Sequence, residues 1–351
     1  MQAKGFAALL IATLVIVFAA FTLTIGGSTP TSDAHSGEAV FPMLKARLGD
    51  VATLKITGAG DGAATLQRKG TGDKPEWDVA QKGGYPADPT KIRQVLLGFA
   101  ELKLIEPKTG KRDLYTRLDV EDPGTDRGTD TSHSRLVEID DASGAKLGEI
   151  IVGKRKPDDL GTGADGLYIR RPSEAQSWLA QGSVDLPTDI KDWLDKKIIA
   201  IAPSRIREVT LTHPDGTTLV LKRDKDDAKF AIDGAPADTK LKSDSAVAEP
   251  AGVLDGLELS DVRPAAEMPV PAESVSRAQW VTFDGLTVTG ETFDKDGTSW
   301  VRFSAAGSGD KAAEAEQLNA KLAPWTFAVY AYKANAMKTK LADLVEAPKG
   351  S

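Results

Sequence analysis

Six short segments of this 351-residue chain recur in the same order, about 150 residues apart. VATLKITGAGDGAATLQRKG at 51–70 resembles EVTLTHPDGTTLVLKRD at 208–224, and each reads as a strand, an Asp-Gly turn and a second strand. The other five pairs are Trp77-Asp-Val with Phe230-Ala-Ile, Pro86-Ala-Asp with Pro236-Ala-Asp, Leu102-Lys-Leu with Leu257-Glu-Leu, Leu136-Val-Glu-Ile with Trp280-Val-Thr-Phe, and Tyr168-Ile-Arg with Trp300-Val-Arg. Six matches in one order indicate an internal duplication.

One of the clearest helix signals outside the N-terminus lies in the first copy, at 85–104. Asp88 suits an N-cap and Pro89 suits the first helical position. One apolar stripe follows at helical spacing: Ile92, Val95, Leu96 and Phe99. Pro250 interrupts the second copy of this helix. We therefore expect a scaffold helix that covers one face of the first unit's sheet.

Residues 5–25 form an uncharged run of 21 residues, close to the ~20 needed to span a bilayer core. Lys4 precedes the run and the next charges are acidic, which predicts a cytoplasmic N-terminus. The residues of the predicted membrane anchor are Phe6, Leu9, Leu10, Ile11, Leu14, Val15, Ile16, Val17, Phe18, Phe21, Leu23 and Ile25. A cleaved signal peptide and a buried core helix are the alternatives.

Together these features predict an α+β fold class: an N-terminal transmembrane helix followed by two related α+β units, mainly antiparallel sheets with covering helices. The predicted parts are a cytoplasmic N-terminus and anchor at 1–27, a flexible tether at 28–40, and repeat units at 41–203 and 204–351. The predicted location is the cytoplasmic (inner) membrane, crossed once, with most of the chain extracytoplasmic or periplasmic.

Composition excludes several kinds of reactive and metal-binding site. The chain has no cysteine, which excludes disulfides, a thiolate nucleophile and thiolate metal sites. Its net charge is −7 and its charges are interspersed, so we expect no nucleic-acid partner. His35, His133 and His213 do not stand at ligand spacing from other metal-binding residues. We therefore predict no catalytic, cofactor-binding or metal-binding residues, and a protein that is not an enzyme.

Other polar motifs are better explained as ordinary surface. Gly161–Gly166 lacks the Lys-Ser/Thr ending of a phosphate loop and predicts a hairpin or surface loop. Asp294–Gly297 lacks the later ligands of a calcium loop and predicts a tight turn. The paired acids at 158–159 and 224–227 lie in polar segments and are expected to be solvated. Trp77, Trp280 and Trp300 fall on predicted strands and are expected in the core.

One short segment offers a candidate contact surface. Strand alternation in Leu167–Arg170 either buries Leu167 and Ile169 and turns Tyr168 and Arg170 outward, or does the reverse. An arginine beside a tyrosine suits a protein contact. We therefore name Tyr168, Arg170 and Arg171 as the candidate contact residues.

These residues together resemble a known bacterial family, the domain-of-unknown-function family 4340. The resemblance rests on the order of short motifs: VATLKI, EWDV, the Pro-Ala-Asp helix, Leu118–Pro123, Gly148–Gly153, Gly166–Arg170, Asp192-Trp193-Leu194 and Ile198–Ile201. It covers most of residues 40–350 and is sharpest over 51–205. Two departures are Arg117, where the family pattern has glycine, and a longer loop at 119–134.

The resemblance implies a membrane-anchored, exported protein of two related α+β repeats. It also implies association with transporters of the ATP-binding-cassette type and with proteins like a gliding-motility auxiliary component. We therefore expect a non-enzymatic accessory subunit of a membrane transport assembly, with the cytoplasmic membrane and transporter subunits as partners. The alternative is a periplasmic ligand-binding module for glycan or lipid that uses aromatic residues at the junction of the two units. A hydrolase would need two converging carboxylates, for which the sequence gives no support.

Overall fold

The computed structural model describes residues 36–58, 62–70, 76–123, 133–157, 165–236 and 239–346. These residues divide into two compact units. Of the described residues, one unit holds those up to 51, those at 57–58 and those within 94–186, and the other holds those at 52–56, those within 62–93 and those from 187 onward. The predicted repeat boundary between residues 203 and 204 stays a prediction.

The first sheet has nine strands in the order β4-β3-β2-β1-β6-β7-β8-β9-β5. They are β1 (Val51–Gly58), β2 (Ala64–Lys69), β3 (Glu76–Val79), β4 (Tyr85–Pro86), β5 (Lys103–Pro107), β6 (Arg135–Asp141), β7 (Lys146–Lys156), β8 (Gly166–Arg170) and β9 (Ser177–Gln181). In the β1–β2 hairpin Leu54 pairs with Leu66, and both side chains are fully buried. Leu104 of the edge strand β5, and Leu102 just before the strand, also form backbone hydrogen bonds with residues 37–40.

The second sheet also has nine strands, in the order β10-β14-β18-β17-β16-β15-β11-β12-β13. They are β10 (Lys197–Ile199), β11 (Ile206–Thr212), β12 (Thr218–Lys222), β13 (Ala231–Ile232), β14 (Leu257–Pro264), β15 (Ser276–Thr282), β16 (Leu286–Lys295), β17 (Thr298–Gly307) and β18 (Trp325–Val329). Their side chains alternate between a buried and a solvent-facing side, as expected for an antiparallel sheet with one open face.

The two sheets share one strand order. Eight strands of the first run β3-β2-β1-β6-β7-β8-β9-β5, and eight of the second run β13-β12-β11-β15-β16-β17-β18-β14. Each of these eight strands therefore has a counterpart in the other sheet, and the counterparts follow one another in the same order along the chain. Strands β4 and β10 have no counterpart among the described residues. Five of the six matched sequence segments lie on counterpart strands. The sixth pair includes residues 237–238, which lie outside the described residues. The shared order supports the predicted duplication.

The observed proportion of strands to helices corrects the predicted fold class. The described residues form two large antiparallel sheets, whereas α+β units behind a transmembrane helix were expected. The α-helices are α1 (Pro89–Glu101), α2 (Asp244–Ala248), α3 (Ala312–Leu322), α4 (Ala331–Met337) and α5 (Leu341–Leu344). The second copy of α1 is reduced to the five residues of α2 and a 3₁₀ turn over Glu249–Gly252, because Pro250 stops it.

Helix α1 itself forms as the sequence predicts. The side chain of Asp88 accepts hydrogen bonds from the backbone N–H groups of Thr90 and Lys91, at 2.8 and 3.3 Å, which caps the helix. All four residues of the predicted stripe are buried: Ile92, Val95, Leu96 and Phe99. Each buried side chain of this kind contributes ~1.5–3 kcal/mol of transfer free energy. The helix is therefore fixed by its cap and by its apolar face.

The predicted membrane anchor at 5–25, with its twelve apolar residues, lies outside the described residues. No helix among the described residues is long and apolar enough to cross a bilayer. That finding contradicts the predicted single-pass location in the inner membrane.

The tryptophans assigned to predicted strands lie in the core, as expected. Trp280 is fully buried on β15, and its indole Nε1 donates to the Pro250 carbonyl at 2.8 Å. Trp77 and Trp300 are also buried. Trp300 packs with Phe293, Met268 and Ala328 in one hydrophobic cluster. These three rings therefore stabilise the sheets and are not available as a surface platform.

Helix α3 lies beside β17, where the pairing of β17 with β18 stops. The side-chain oxygen of Asn319 accepts from the Ala305 N–H at 2.8 Å, and its Nδ2 donates to the Ala305 carbonyl at 2.7 Å. The amide thus makes the two hydrogen bonds that a neighbouring strand would make.

Candidate functional site

The predicted contact residues occupy the end of β8. Leu167 and Ile169 are each 1% exposed, as one of the two alternation patterns requires, but Arg170 is only 3% exposed. Tyr168 and Arg171 are half-buried. Arg171 donates to the Val40 carbonyl at 3.1 Å. The guanidinium of Arg170 is therefore not offered to a partner, while Tyr168 and Arg171 stay predicted contact residues.

Every terminal group of Arg170 has a partner, and together they form what we call the Arg170 cluster: Arg170, Tyr115, Val120, Asp122 and Glu174. Nε donates to the Val120 carbonyl at 2.8 Å, and Nη1 donates to the Glu174 carbonyl at 3.2 Å. Nη2 forms an ion pair with Asp122. The guanidinium carbon lies 4.6 Å from the centroid of the Tyr115 ring, a cation–π distance. The cluster is internally satisfied and structural.

The segment from Arg112 to Asp122 reaches the Arg170 cluster because Gly153 allows it. A Cβ at Gly153 would lie 2.2 Å from the Leu118 carbonyl oxygen and 2.7 Å from that of Asp119. The Lys154 N–H donates to the same Leu118 carbonyl at 2.9 Å. Glycine at position 153 is therefore required for the loop to lie against β7.

Three of the motifs that carry the family resemblance meet at this place. Leu118–Pro123 supplies the Val120 carbonyl and Asp122, Gly148–Gly153 supplies the glycine, and Gly166–Arg170 supplies the arginine. Tyr115 closes the cluster, since its hydroxyl donates to the Ala175 carbonyl at 2.5 Å. Sequence reasoning identified the order of these motifs along the chain but did not predict that they contact one another.

Two further motifs pair in the second compact unit. Ala87 of the Pro-Ala-Asp motif forms an antiparallel bridge with Leu194 of the Asp-Trp-Leu motif. The Asp88 N–H donates to the Trp193 carbonyl at 2.8 Å. The Asp195 N–H donates to the Pro86 carbonyl at 3.0 Å. Trp193 is fully buried.

Tyr85 extends this contact inside the same unit. Its ring meets Trp325 edge-on at 5.0 Å and Phe327 at 6.2 Å between ring centroids. Its hydroxyl donates to the Asp195 carbonyl at 3.2 Å. Burial, with a smaller contribution from Asp195, raises the pKa of the Tyr85 hydroxyl, so it stays protonated and serves as a donor.

Four charged side chains form a network beside the β15–β16 turn. Arg205 binds Glu314 at 2.8 Å and Asp284 at 2.9 Å, and Lys311 binds both acids at 2.9 Å. Thr282 also donates to Asp284. The hydrogen bond from Thr282 and the two cations lower the pKa of Asp284, and Arg205 chiefly lowers the pKa of Glu314. Both acids are thus held ionised, the opposite of what a general acid requires.

The remaining sequence candidates do not assemble into a reactive site. His133 is exposed and His213 is buried, and neither belongs to a group of metal-ligating residues in the described ranges. The predicted tight turn joins β16 and β17, and beside it Asp294 accepts from Ser299 at 2.6 Å and from Lys338 at 2.9 Å. His35, Asp158, Asp159 and residues 161–164 lie outside the described residues, while Asp224, Asp226 and Asp227 are exposed.

Sequence reasoning missed an exposed pair of aromatic rings at the start of α4, Tyr330 and Tyr332. Their side chains are 47% and 61% exposed. The ring centroids lie 6.3 Å apart and the ring planes differ by 20°. The available signal was local, because two tyrosines two positions apart at a helix start cannot both face the core. We call Tyr330 and Tyr332 the tyrosine pair.

Comparison with known proteins places the chain in a family without an assigned activity. The model of the family described as Domain of unknown function (DUF4340) matches residues 77–275, which is more than half of the chain. The protein belongs to this family. No curated protein and no solved structure matches it.

Proposed function

We propose that this protein is a non-enzymatic accessory subunit of an ATP-binding-cassette transport assembly, and that it acts by binding other subunits. The observation that carries the proposal is where the family motifs lie. Those in the Arg170 cluster and at the Ala87–Leu194 bridge form hydrogen bonds and packing contacts within the fold. The residues that carry the resemblance therefore build a scaffold, and function is assigned to its surface.

The charged groups support a binding role in the same way. The pKa values of Asp284 and Glu314 are lowered by partner cations, which stabilises the folded chain and does not prepare a proton transfer. The guanidinium of Arg170 uses its donors on backbone carbonyls and on Asp122. Association with a transporter comes from the resemblance to the family, whose members are often linked to such assemblies.

The test is recovery of named partners with the full chain. The tagged chain is produced in its own cells, cross-linked before lysis, purified after detergent solubilisation, and its companions are identified by mass spectrometry. The proposal expects both a transporter ATPase and a permease subunit in the purified material. Recovery of the chain alone would contradict it.

A pair of variants localises the contact. Arg171→Glu reverses a charge at a predicted contact residue, and Lys45→Glu makes the same change at an exposed lysine that is not a predicted contact residue. The first should reduce recovery of the transporter subunits, and the second should not. A reversed charge at the rim of an interface slows association. Equal recovery with both variants would therefore rule out the end of β8 as the contact surface.

A further inference from the structure

We infer that the tyrosine pair is a binding platform for a neutral, unbranched oligosaccharide of pyranose rings. This inference is independent of the proposed transport role. It begins from the exposure of Tyr330 and Tyr332, which contrasts with Trp77, Trp280 and Trp300, all buried in the core. The two rings face solvent and stack with their planes 20° apart, so their exposed parts together form one apolar strip.

The helix that carries the tyrosine pair, α4, is anchored to the rest of the unit. Helix α4 buries Ala334, Ala336 and Met337, and the Thr292 hydroxyl donates to the Met337 sulfur at 3.3 Å. At the helix end, Lys338 binds both carboxylate oxygens of Asp294 at 3.0 and 2.9 Å. The rings therefore stand on an anchored helix, and binding does not need to order the backbone first.

Lys333 fixes the same helix to three backbone carbonyls. Its Nζ donates to the carbonyls of Gly252, Val253 and Asp255, at 3.1 to 3.3 Å. Nζ also lies 5.9 Å from the centroid of the Tyr332 ring. Burial lowers the pKa of Lys333. Because the ammonium group is committed to three carbonyls, it is not offered to an anion, and the platform selects a neutral ligand.

The size of the strip decides between a sugar and a protein. Two half-exposed tyrosine rings offer roughly 200 Å² of surface. A standard protein interface needs about 800 Å² from each partner. The exposed residues next to the rings along helix α4 are small or polar, namely Ala331 and Asn335. The apolar C–H face of a pyranose ring fits a single aromatic ring, and its hydroxyls reach the polar border.

The experiment titrates the full chain with chitohexaose, cellohexaose and maltohexaose, using saturation-transfer NMR and calorimetry. At least one of them should bind. Tyr330→Ala/Tyr332→Ala should weaken that binding by about tenfold or more, and Tyr330→Phe/Tyr332→Phe should retain it, because phenyl rings keep the stacking face. Phe283→Ala is the matched control, since Phe283 is another exposed aromatic residue, and its binding should equal that of the unchanged chain.

The urea midpoint of the double alanine variant should not move, because both rings face solvent. If it does move, the single variant Tyr332→Ser replaces it. The inference is overturned if none of the three sugars binds, or if the alanine variant binds as well as the unchanged chain. It is also overturned if the tyrosines are needed for adsorption to phosphatidylcholine vesicles or for recovery of transporter subunits while no sugar binds. Those outcomes assign the strip to a lipid or to a protein. Loss of sugar binding with intact recovery of transporter subunits leaves the proposed function standing.

Discussion

Replacing Arg170 with alanine should destabilise the fold far more than the same change at its neighbour Arg171. Arg170 is 3% exposed and donates to the carbonyls of Val120 and Glu174. Alanine would leave those carbonyls without a partner and would open a cavity against the ring of Tyr115. Arg171 donates to one carbonyl and contacts Glu174 only at 3.4 Å.

The magnitude follows from these contacts. Removing one partner of a buried ion pair costs ~3–5 kcal/mol. The side chain of Asp122 is 44% exposed, so its share of the ion pair is discounted for solvent screening. The two orphaned carbonyls each cost ~1–3 kcal/mol. We therefore expect Arg170→Ala to lower the free energy of unfolding by about 3 kcal/mol. Arg171→Ala should lower it by less than about 1 kcal/mol.

Urea unfolding followed by tryptophan fluorescence measures the difference between the two variants. Hydrogen exchange adds a local signal, because the Lys154 N–H donates to the Leu118 carbonyl beside the Arg170 cluster and should lose protection only in Arg170→Ala. Arg170→Lys should fall between the two alanine variants, since lysine keeps the charge but not the planar fork. Equal destabilisation by Arg170→Ala and Arg171→Ala would contradict the structural role of the Arg170 cluster.

Three further perturbations test the rest of the fold. Asn319→Leu should lower the free energy of unfolding by ~1–2 kcal/mol and speed exchange of the Ala305 N–H, because the amide replaces a strand at that edge; unchanged exchange would contradict this. Tyr85→Phe should cost ~1 kcal/mol for the lost hydroxyl bond, and Tyr85→Ala ~3–5 kcal/mol for the lost ring, both read from urea midpoints; a similar small loss in both would mean that the ring does not pack as described. The folded-state pKa values of Asp284 and Glu314 are depressed, so the stability they contribute is present above their ordinary values near ~4 and is lost as pH falls through the folded values. The urea midpoint should therefore drop below about pH 4, and less steeply in Asp284→Asn; equal slopes would count against the network.

Sequence patterns revealed the repeated strands because each copy contains strand, Asp-Gly turn and strand at matching positions. Residue-level matching was less accurate. Leu136-Val-Glu-Ile139 was matched to Trp280-Val-Thr-Phe, and both lie on counterpart strands, β6 and β15. The strand pairings give a different match. When Arg170 of β8 is aligned with Arg302 of β17, Gly148 of β7 becomes equivalent to Val288 of β16. Their partners Ile139 and Trp280 are therefore equivalent, and the sequence match was three residues out of register. Strand identity survives in hydrophobic alternation, whereas register depends on cross-strand contacts.

Sequence patterns could not predict in the same way which residues are exposed on the surface. Alternation predicts which side of β8 is apolar, but it does not reveal that Tyr115 and Val120 cover the other side and bury Arg170. The exposure of Tyr330 and Tyr332 likewise depends on the partners of α4, which lie far away in sequence. Long-range packing therefore decides which residues are available to a ligand or a partner.

The central claim, that this protein acts by binding within a transport assembly, is tested most directly by native mass spectrometry of the complex purified from its own cells. We expect one species whose mass contains this chain together with an ATP-binding-cassette ATPase and a permease. We also expect that species to be lost in Arg171→Glu while the chain stays folded. A spectrum that shows this chain only as a free monomer would contradict the claim.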